Sequence, residues 1–368
     1  MLSMSIVSHV CVLLILCFAV YASQSSVLFL YTGGTIGMKK INGSFAPVPG
    51  YLAQLLSDYP NINNPDLGVT YTILEYSPLL DSSNINSTHW SVIARDIEKY
   101  YTKYDGFVVI HGTDTLAYTA SALSFLLENL DKTVIVTGSQ IPLGEKYSDG
   151  WNNLIGSMLI AGRQEIPEVS VFFDNKLLRG NRVRKYSNWD LSAFTSEQFP
   201  ILGLWGGSFN LYPQHLLPKP TKPFALASSD MNSNVAIVYL FPSIQASYLE
   251  SILSSGIRGL IIMSFGMGNG PDENKEFMQV LKQANDNGVI LIDASQCFRG
   301  FVDLGTYATG SSMAKVGCIG ALDMTPEAAF TKLSWLLGRG LSTEQIKKLI
   351  VQNLRGEVTV AEEVKEVF

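Results

Sequence analysis

The chain has 368 residues, enough for two domains that each bury a core of their own. Only 16% of the residues are charged and the net charge is -6, which leaves no basic footprint for nucleic acid. Four cysteines, two of them inside the first apolar stretch, exclude a disulfide scaffold, and any bridge between Cys297 and Cys318 is not readable from spacing.

Residues 7–23 read VSHVCVLLILCFAVYAS, a stretch short for a spanning helix and close to the N-terminus. Val20-Tyr21-Ala22 suits a signal peptidase, so residues 1–22 are expected to be a signal peptide cleaved after Ala22. The mature chain would then be secreted or lumenal and free of the membrane. A signal anchor is the alternative, because no Lys or Arg precedes Lys39. Asn42-Gly43-Ser44 and Asn86-Ser87-Thr88 fit the glycosylation pattern, which matters only in such a compartment.

Beyond this segment, apolar strand-like runs alternate with amphipathic ones. Residues 27–31, 69–76, 106–110, 133–137 and 169–173 are predicted strands. Between them, residues 88–104 place Trp90, Ile93 and Ile97 on one helical face, with Ser87 as the N-cap. Residues 212–234 carry prolines, serines and asparagines without a period and read as a linker. Strands resume at 235–241, 259–264 and 289–293. Thr325-Pro326 opens a helix, and Ser342 with Gln345 forms a capping box for the last one. Strands separated by helices predict two α/β domains with mainly parallel sheets: a larger N-terminal domain over 23–211 and a smaller C-terminal domain over 235–368.

Open α/β sheets bind ligands beyond the carboxyl ends of their strands, so the loops that follow strands carry the chemistry. The first is Thr32-Gly33-Gly34-Thr35, which fits neither a P-loop nor a dinucleotide turn. It offers two hydroxyls beside backbone N–H groups, the parts of an activated nucleophile, although a plain strand-to-loop turn would look the same. The second is His111-Gly112-Thr113-Asp114-Thr115, which reads either as a helix start around a core histidine or as a hydroxyl beside a carboxylate. The third, residues 179–185, ends on Lys185, a base for a threonine hydroxyl or simply part of a solvated basic run. The four histidines show no metal-ligand spacing, and no G-x-S-x-G elbow is present.

The segments TGGTIG, EYSPLLDSS at 75–83, HGTDTLAYTASALSFLLENL at 111–130, VTGSQIP at 136–142 and RGNR at 179–182 resemble the L-asparaginase family, most closely its type I, bacterial cytosolic kind. The resemblance continues through YATGSSMAKVGCIGALDMTPEA at 307–328 and QNLRGE at 352–357, and covers nearly everything after residue 26. It implies that Thr35 is the nucleophile attacking the side-chain amide of L-asparagine. Thr113, Asp114 and Lys185 would form a supporting proton-handling triad. Asp81, Ser82 and Ser83, with Thr113 and Asp114, would hold the substrate's α-amino and α-carboxylate groups. The implied reaction passes through a β-aspartyl ester, releases ammonia and aspartate, and needs no cofactor or metal.

Three departures stand out against that pattern. The lid position where many members have a tyrosine is Phe45, and Tyr307 in the Y-A-x-G segment is expected to stand in for it. Two positions associated with regulation by asparagine in some type I enzymes fall at Arg184 and Met263, with Cys297 kept; a thioether cannot make a guanidinium's contacts, so this regulation is expected to be lost or altered. Relatives of this kind are usually cytosolic, whereas a secretion signal is expected here. Alternatives to an asparaginase are a mixed asparaginase–glutaminase and a noncatalytic binding protein on the same fold. The resemblance implies a homodimer or homotetramer.

Overall fold

The computed structural model describes residues 24–227, 231–304 and 308–359. The expected signal peptide and its cleavage point, Tyr307, and residues 360–368 lie outside the described residues.

Eight strands make the larger sheet: β1 (Ser25–Gly33), β2 (Val69–Leu80), β3 (Gly106–Ile110), β4 (Thr133–Thr137), β5 (Val169–Phe173), β6 (Lys176–Arg179), β7 (Gly203–Trp205) and β8 (Phe209–Leu211). Their spatial order is β8-β7-β6-β5-β4-β3-β1-β2. The run from β2 to β5 is parallel, and β6 to β8 are added antiparallel. The sequences GFVVI and TVIVT are buried along their whole length, as strands covered on both faces must be.

The two faces of the sheet follow the alternation of side chains along β1. Leu28 and Leu30 face α2 (Ser87–Tyr100) and α3 (Leu116–Leu126), where Trp90, Ile93 and Phe125 pack. Val27, Phe29 and Tyr31 face α1 (Tyr51–Asp58) and α4 (Gly150–Arg163), through Leu52, Leu154 and Met158. The chain runs from β1 to β2 on one side, then crosses to β3 on the other. The strand order therefore reverses at β1, and its carboxyl end opens onto the crevice where such sheets hold ligands.

A second, four-stranded parallel sheet has the order β9 (Val235–Tyr239), β10 (Gly259–Ser264), β11 (Ile290–Ser295) and β12 (Ile319–Gly320). Leu260, Ile262 and Leu291 face α5 (Ala246–Leu253) and α6 (Lys275–Asp286). Ile261, Met263 and Ile292 face α8 (Pro326–Gly338), which joins the N-terminal core. Phe125 of α3 stacks on Trp335 of α8 at 5.6 Å, and Ser121 hydrogen-bonds Thr331 at 2.7 Å. Helices α7 (Ala308–Lys315) and α9 (Thr343–Ile350) complete this unit.

Most predicted elements occur where the sequence put them, with local exceptions. Helix α2 is capped by Asn86 rather than Ser87: the Asn86 side chain accepts from Thr88 N, and His89 Nδ1 accepts from the Asn86 N–H. An asparagine reaches those donors as well as a serine does, and the box closed by His89 selects it. Residues 213–215 form a turn, and Ala225–Leu226 pairs with Leu127–Glu128. Thr325 and Ser342 cap α8 and α9 as expected. No helix among the described residues is long and apolar enough to cross a membrane.

Candidate active site

Strand β1 ends in two glycines whose backbone no other residue could adopt at low cost, with φ 129° at Gly33 and 88° at Gly34. A β-carbon on Gly33 would run into the Leu80 carbonyl, and one on Gly34 into the backbone of Gly112. The same contact recurs one layer on, where a β-carbon on Gly112 would strike Ser82. Glycines thus let the loops after β1, β2 and β3 touch backbone to backbone, and Gly34 N donates to Leu80 O at 3.2 Å. Thr35 opens a short 3-10 turn at this junction and is half-buried. Among the described residues its hydroxyl has no hydrogen-bond partner, so it is free to meet a ligand. Thr32 is different: it is buried and donates to Ile110 O at 3.1 Å, a structural bond between β1 and β3.

Beside Thr35, the loop after β3 presents Thr113 and Asp114. Lys185 arrives from the short strand Arg184–Lys185, paired with Phe194–Thr195. Its Nζ donates to Thr113 Oγ1 at 2.8 Å and to Asp114 Oδ1 at 2.7 Å. The lysine side chain is only 18% exposed while that of Asp114 is 63% exposed, so the carboxylate has one side left for a cationic ligand group. Thr113 also donates to Gln140 Oε1 at 3.3 Å. The Gln140 and Ile141 N–H groups are held by the Asp149 carboxylate, both at 3.0 Å. Burial raises the pKa of Asp149, against the backbone bonds that lower it. Sequence alone assigns Gln140 no role; its position in the loop that follows β4 is the signal that points to it.

The loop after β2 completes the cluster. Asp81 caps a 3-10 turn, its Oδ1 accepting from the N–H and the hydroxyl of Ser83 at 3.0 Å each. Ser82 is buried against Gly112, and its carbonyl accepts from the Thr115 hydroxyl at 2.7 Å. Thr115 therefore locks two loops together instead of capping its helix. His111 is a core residue, fully buried, with Nδ1 2.7 Å from Gly112 O and Nε2 2.9 Å from Thr119 Oγ1. Trp90 Nε1 donates to the same threonine oxygen at 2.9 Å, so Thr119 donates to Nε2 and the proton sits on Nδ1. Burial pushes this imidazole down to about 4, and it stays neutral.

The structure thus brings Thr35, Thr113, Asp114, Lys185, Asp81, Ser82 and Ser83 to the end of the sheet where its strand order reverses. Phe45 lies on the hairpin Met38–Ile41/Ser44–Pro47 and is 44% exposed, with Lys40 Nζ 5.8 Å from its ring centroid. Met263 is fully buried inside the C-terminal core, and the Arg184 guanidinium lies 4.0 Å over the Phe298 ring, 3.7 Å from Glu327. Cys297 is exposed and unbridged. No group of His, Cys, Asp and Glu among the described residues is placed to hold a metal ion.

Fold and site together define a two-domain α/β protein with a half-buried threonine and a hydroxyl–lysine–carboxylate cluster at the switch point of its larger sheet. Comparison with known proteins names the class. The family description "Asparaginase, N-terminal" matches residues 26–216, and "Glutaminase/Asparaginase C-terminal domain" matches residues 234–350. The chain is 44% identical over 344 residues to L-asparaginase 1 of Escherichia coli strain K12, spanning 91% of this chain and 98% of that one. It is 40% identical over 357 residues to the 60 kDa lysophospholipase of Mus musculus, spanning 92% of this chain and 63% of that one. The crystal structure of L-asparaginase I from Vibrio cholerae superposes with a TM-score of 0.84 at 41% identity, covering 92% of this chain and all of that one. The chain belongs to the asparaginase family of enzymes.

Proposed function

We propose that this protein hydrolyses L-asparagine to L-aspartate and ammonia, with Thr35 as the nucleophile. The observation that carries the reading is the lysine bonded at once to Thr113 and Asp114, in a loop packed against the one that bears Thr35, whose hydroxyl has no partner among the described residues. Thr35 Oγ attacks the side-chain amide carbon and its proton passes through Thr113 and Lys185 to the leaving nitrogen. Ammonia departs and a β-aspartyl ester remains on Thr35; water then cleaves the ester and restores the hydroxyl. Backbone N–H groups at the glycine junction would stabilise the tetrahedral oxyanion. The zwitterionic end of the substrate suits Asp81 and Asp114 for its ammonium and the Ser82–Ser83 donors for its carboxylate. The chemistry asks for no cofactor.

Glutamine is the competing substrate, since one methylene changes discrimination by only about 1–3 kcal/mol. Tyr307 is proposed to supply the hydroxyl missing at Phe45, and Tyr307→Phe with full activity would remove that role. With Met263 and Arg184 placed as they are, rate against asparagine concentration should be hyperbolic; a sigmoid curve would overturn that. Secretion after cleavage at Ala22 and assembly into a dimer or tetramer also belong to the proposal. N-terminal sequencing of the expressed protein and sedimentation of the mature chain test them.

The deciding experiment is ammonia release from asparagine and glutamine by the purified protein, with Thr35→Ala and Lys185→Met beside it. Threonine-dependent release from asparagine supports the reading and ranks the amides. The name of the mouse relative makes a lysophospholipid the informative control substrate. A folded protein that releases nothing from either amide would favour a binding role.

A further inference from the structure

Two groups meet at the Thr113 hydroxyl, the Gln140 amide and the Lys185 ammonium, and chemistry settles which of them donates. Asp190 O is a backbone carbonyl and can only accept, so the Gln140 amide nitrogen faces it, at 3.2 Å. The amide oxygen is thereby turned onto Thr113 Oγ1, 3.3 Å away. That oxygen also only accepts, so the threonine proton points at Gln140. The threonine lone pairs then face Lys185, whose Nζ donates at 2.8 Å. Gln140 is fixed from behind, because its own N–H is held by Asp149 Oδ2 at 3.0 Å.

A lysine that takes the proton of this hydroxyl needs the opposite arrangement, with the O–H directed along the line to Nζ. We infer that Gln140 is a positioning residue that turns the Thr113 proton away from Lys185. The relay thus rests with the lysine as donor and reverses only when the hydroxyl rotates. The inference rests on the proton-handling role proposed above for Thr113 and Lys185. Two carboxylates stand close by: Asp114, 2.7 Å from Lys185 Nζ, and Asp149, on the backbone of Gln140. Both remain when position 140 alone is changed, so a difference between variants reports on that side chain.

The test is the pH profile of kcat/KM for asparagine in Gln140→Met and Gln140→Glu. The methionine keeps the volume and removes the acceptor, which lets the hydroxyl donate to a neutral lysine. The glutamate keeps the shape and adds charge that favours the ammonium. The acid limb should move down by roughly half to one pH unit in the first variant and up by a similar amount in the second, with KM altered less than about threefold. Titration of the Lys185 ammonium followed by NMR reads the same shifts in the free protein without turnover. If either variant fails to fold, the direction of shift in the other decides. Limbs and titration that stay in place while Lys185→Met is inactive would remove Gln140 from the relay and leave the relay standing. Full activity in Lys185→Met would remove the relay itself, and this inference with it.

Discussion

Gly34 and Gly112 meet backbone to backbone across the switch point of the larger sheet, and neither position has room for a β-carbon. This contact brings the loop that bears Thr35 against the loop that bears Thr113 and Asp114. At Gly112 the backbone itself is not left-handed, so Gly112→Ala tests the close approach with little dihedral strain. Overpacking of this kind costs about 1–3 kcal/mol, yet it would wedge the loops against Ser82 and Gly34. The expected outcome is a folded protein with a modestly lowered melting temperature and turnover reduced by about 10²-fold or more. Wild-type kcat in Gly112→Ala would show that the close approach does not set the site.

The two threonines of the first loop separate by partner. Thr32→Val removes a buried donor from Ile110 O and should cost about 1–3 kcal/mol of stability while turnover survives. Thr35→Ala should leave the denaturation midpoint almost unchanged and lower turnover by at least about 10³-fold. Urea unfolding and ammonia release on the same two samples check both. An inverted pattern would exchange the roles of the two hydroxyls.

The sequence segment 352–357 is explained by packing. Glu357 and Lys332 are a fully buried ion pair. The Glu357 carboxylate also accepts from the N–H groups of Leu354 and Arg355, and Lys332 donates to Ile350 O. The Gly356 carbonyl between them accepts from Arg182 Nε at 2.7 Å and Arg179 Nη1 at 3.3 Å. This segment is thereby clasped to the turn that leads to Lys185. Glu357→Ala would strand a buried ammonium and should cost about 3–5 kcal/mol in urea unfolding. The double variant Lys332→Met/Glu357→Leu, with no charge left to strand, should recover much of that loss. A double variant no more stable than the single one would count against the ion-pair explanation.

Asp293 gives the stability a pH dependence of definite sign. Its carboxyl is fully buried, with Ser264 on one oxygen, and burial pushes it up to about 7. The folded state therefore holds a proton that the unfolded chain has lost, from an unfolded value near 3.8 up to about 7. Its contribution to stability is present below that window, is lost as pH rises through it, and is flat above. His111 acts with the opposite sign: held near 4 in the fold against 6.5 otherwise, it costs stability as pH falls below 6.5. Asp293→Asn removes only the first effect. The melting temperature of this variant relative to wild type should therefore climb from pH 4 to pH 7 and then level off. A difference that is constant across that range would show that Asp293 is ionised throughout.

Much of this protein can be read from its sequence because the relevant forces are local or periodic. Short, β-branched apolar runs such as GFVVI fit strands covered on both faces, and the capping residues at Thr325 and Ser342 announce their helices within a turn. Paired glycines after an apolar strand mark a backbone conformation that side chains forbid, so the junction at Thr35 was visible in the chain. What no periodicity encodes is contact between residues far apart. Thr32 and Thr35 look alike in sequence, and only the position of the Ile110 carbonyl makes one structural and leaves the other free. His111 could be a site residue until Thr119 and Trp90 are seen to surround it. Lys185 is one more basic residue in a basic run until the fold carries it over 71 positions to Asp114. Gln140 gains meaning from a hydroxyl and a carbonyl on two other loops. Residue types supplied the chemistry; packing of three strand ends chose which of them meet, because a hydrogen bond depends on distance in space and not on distance along the chain.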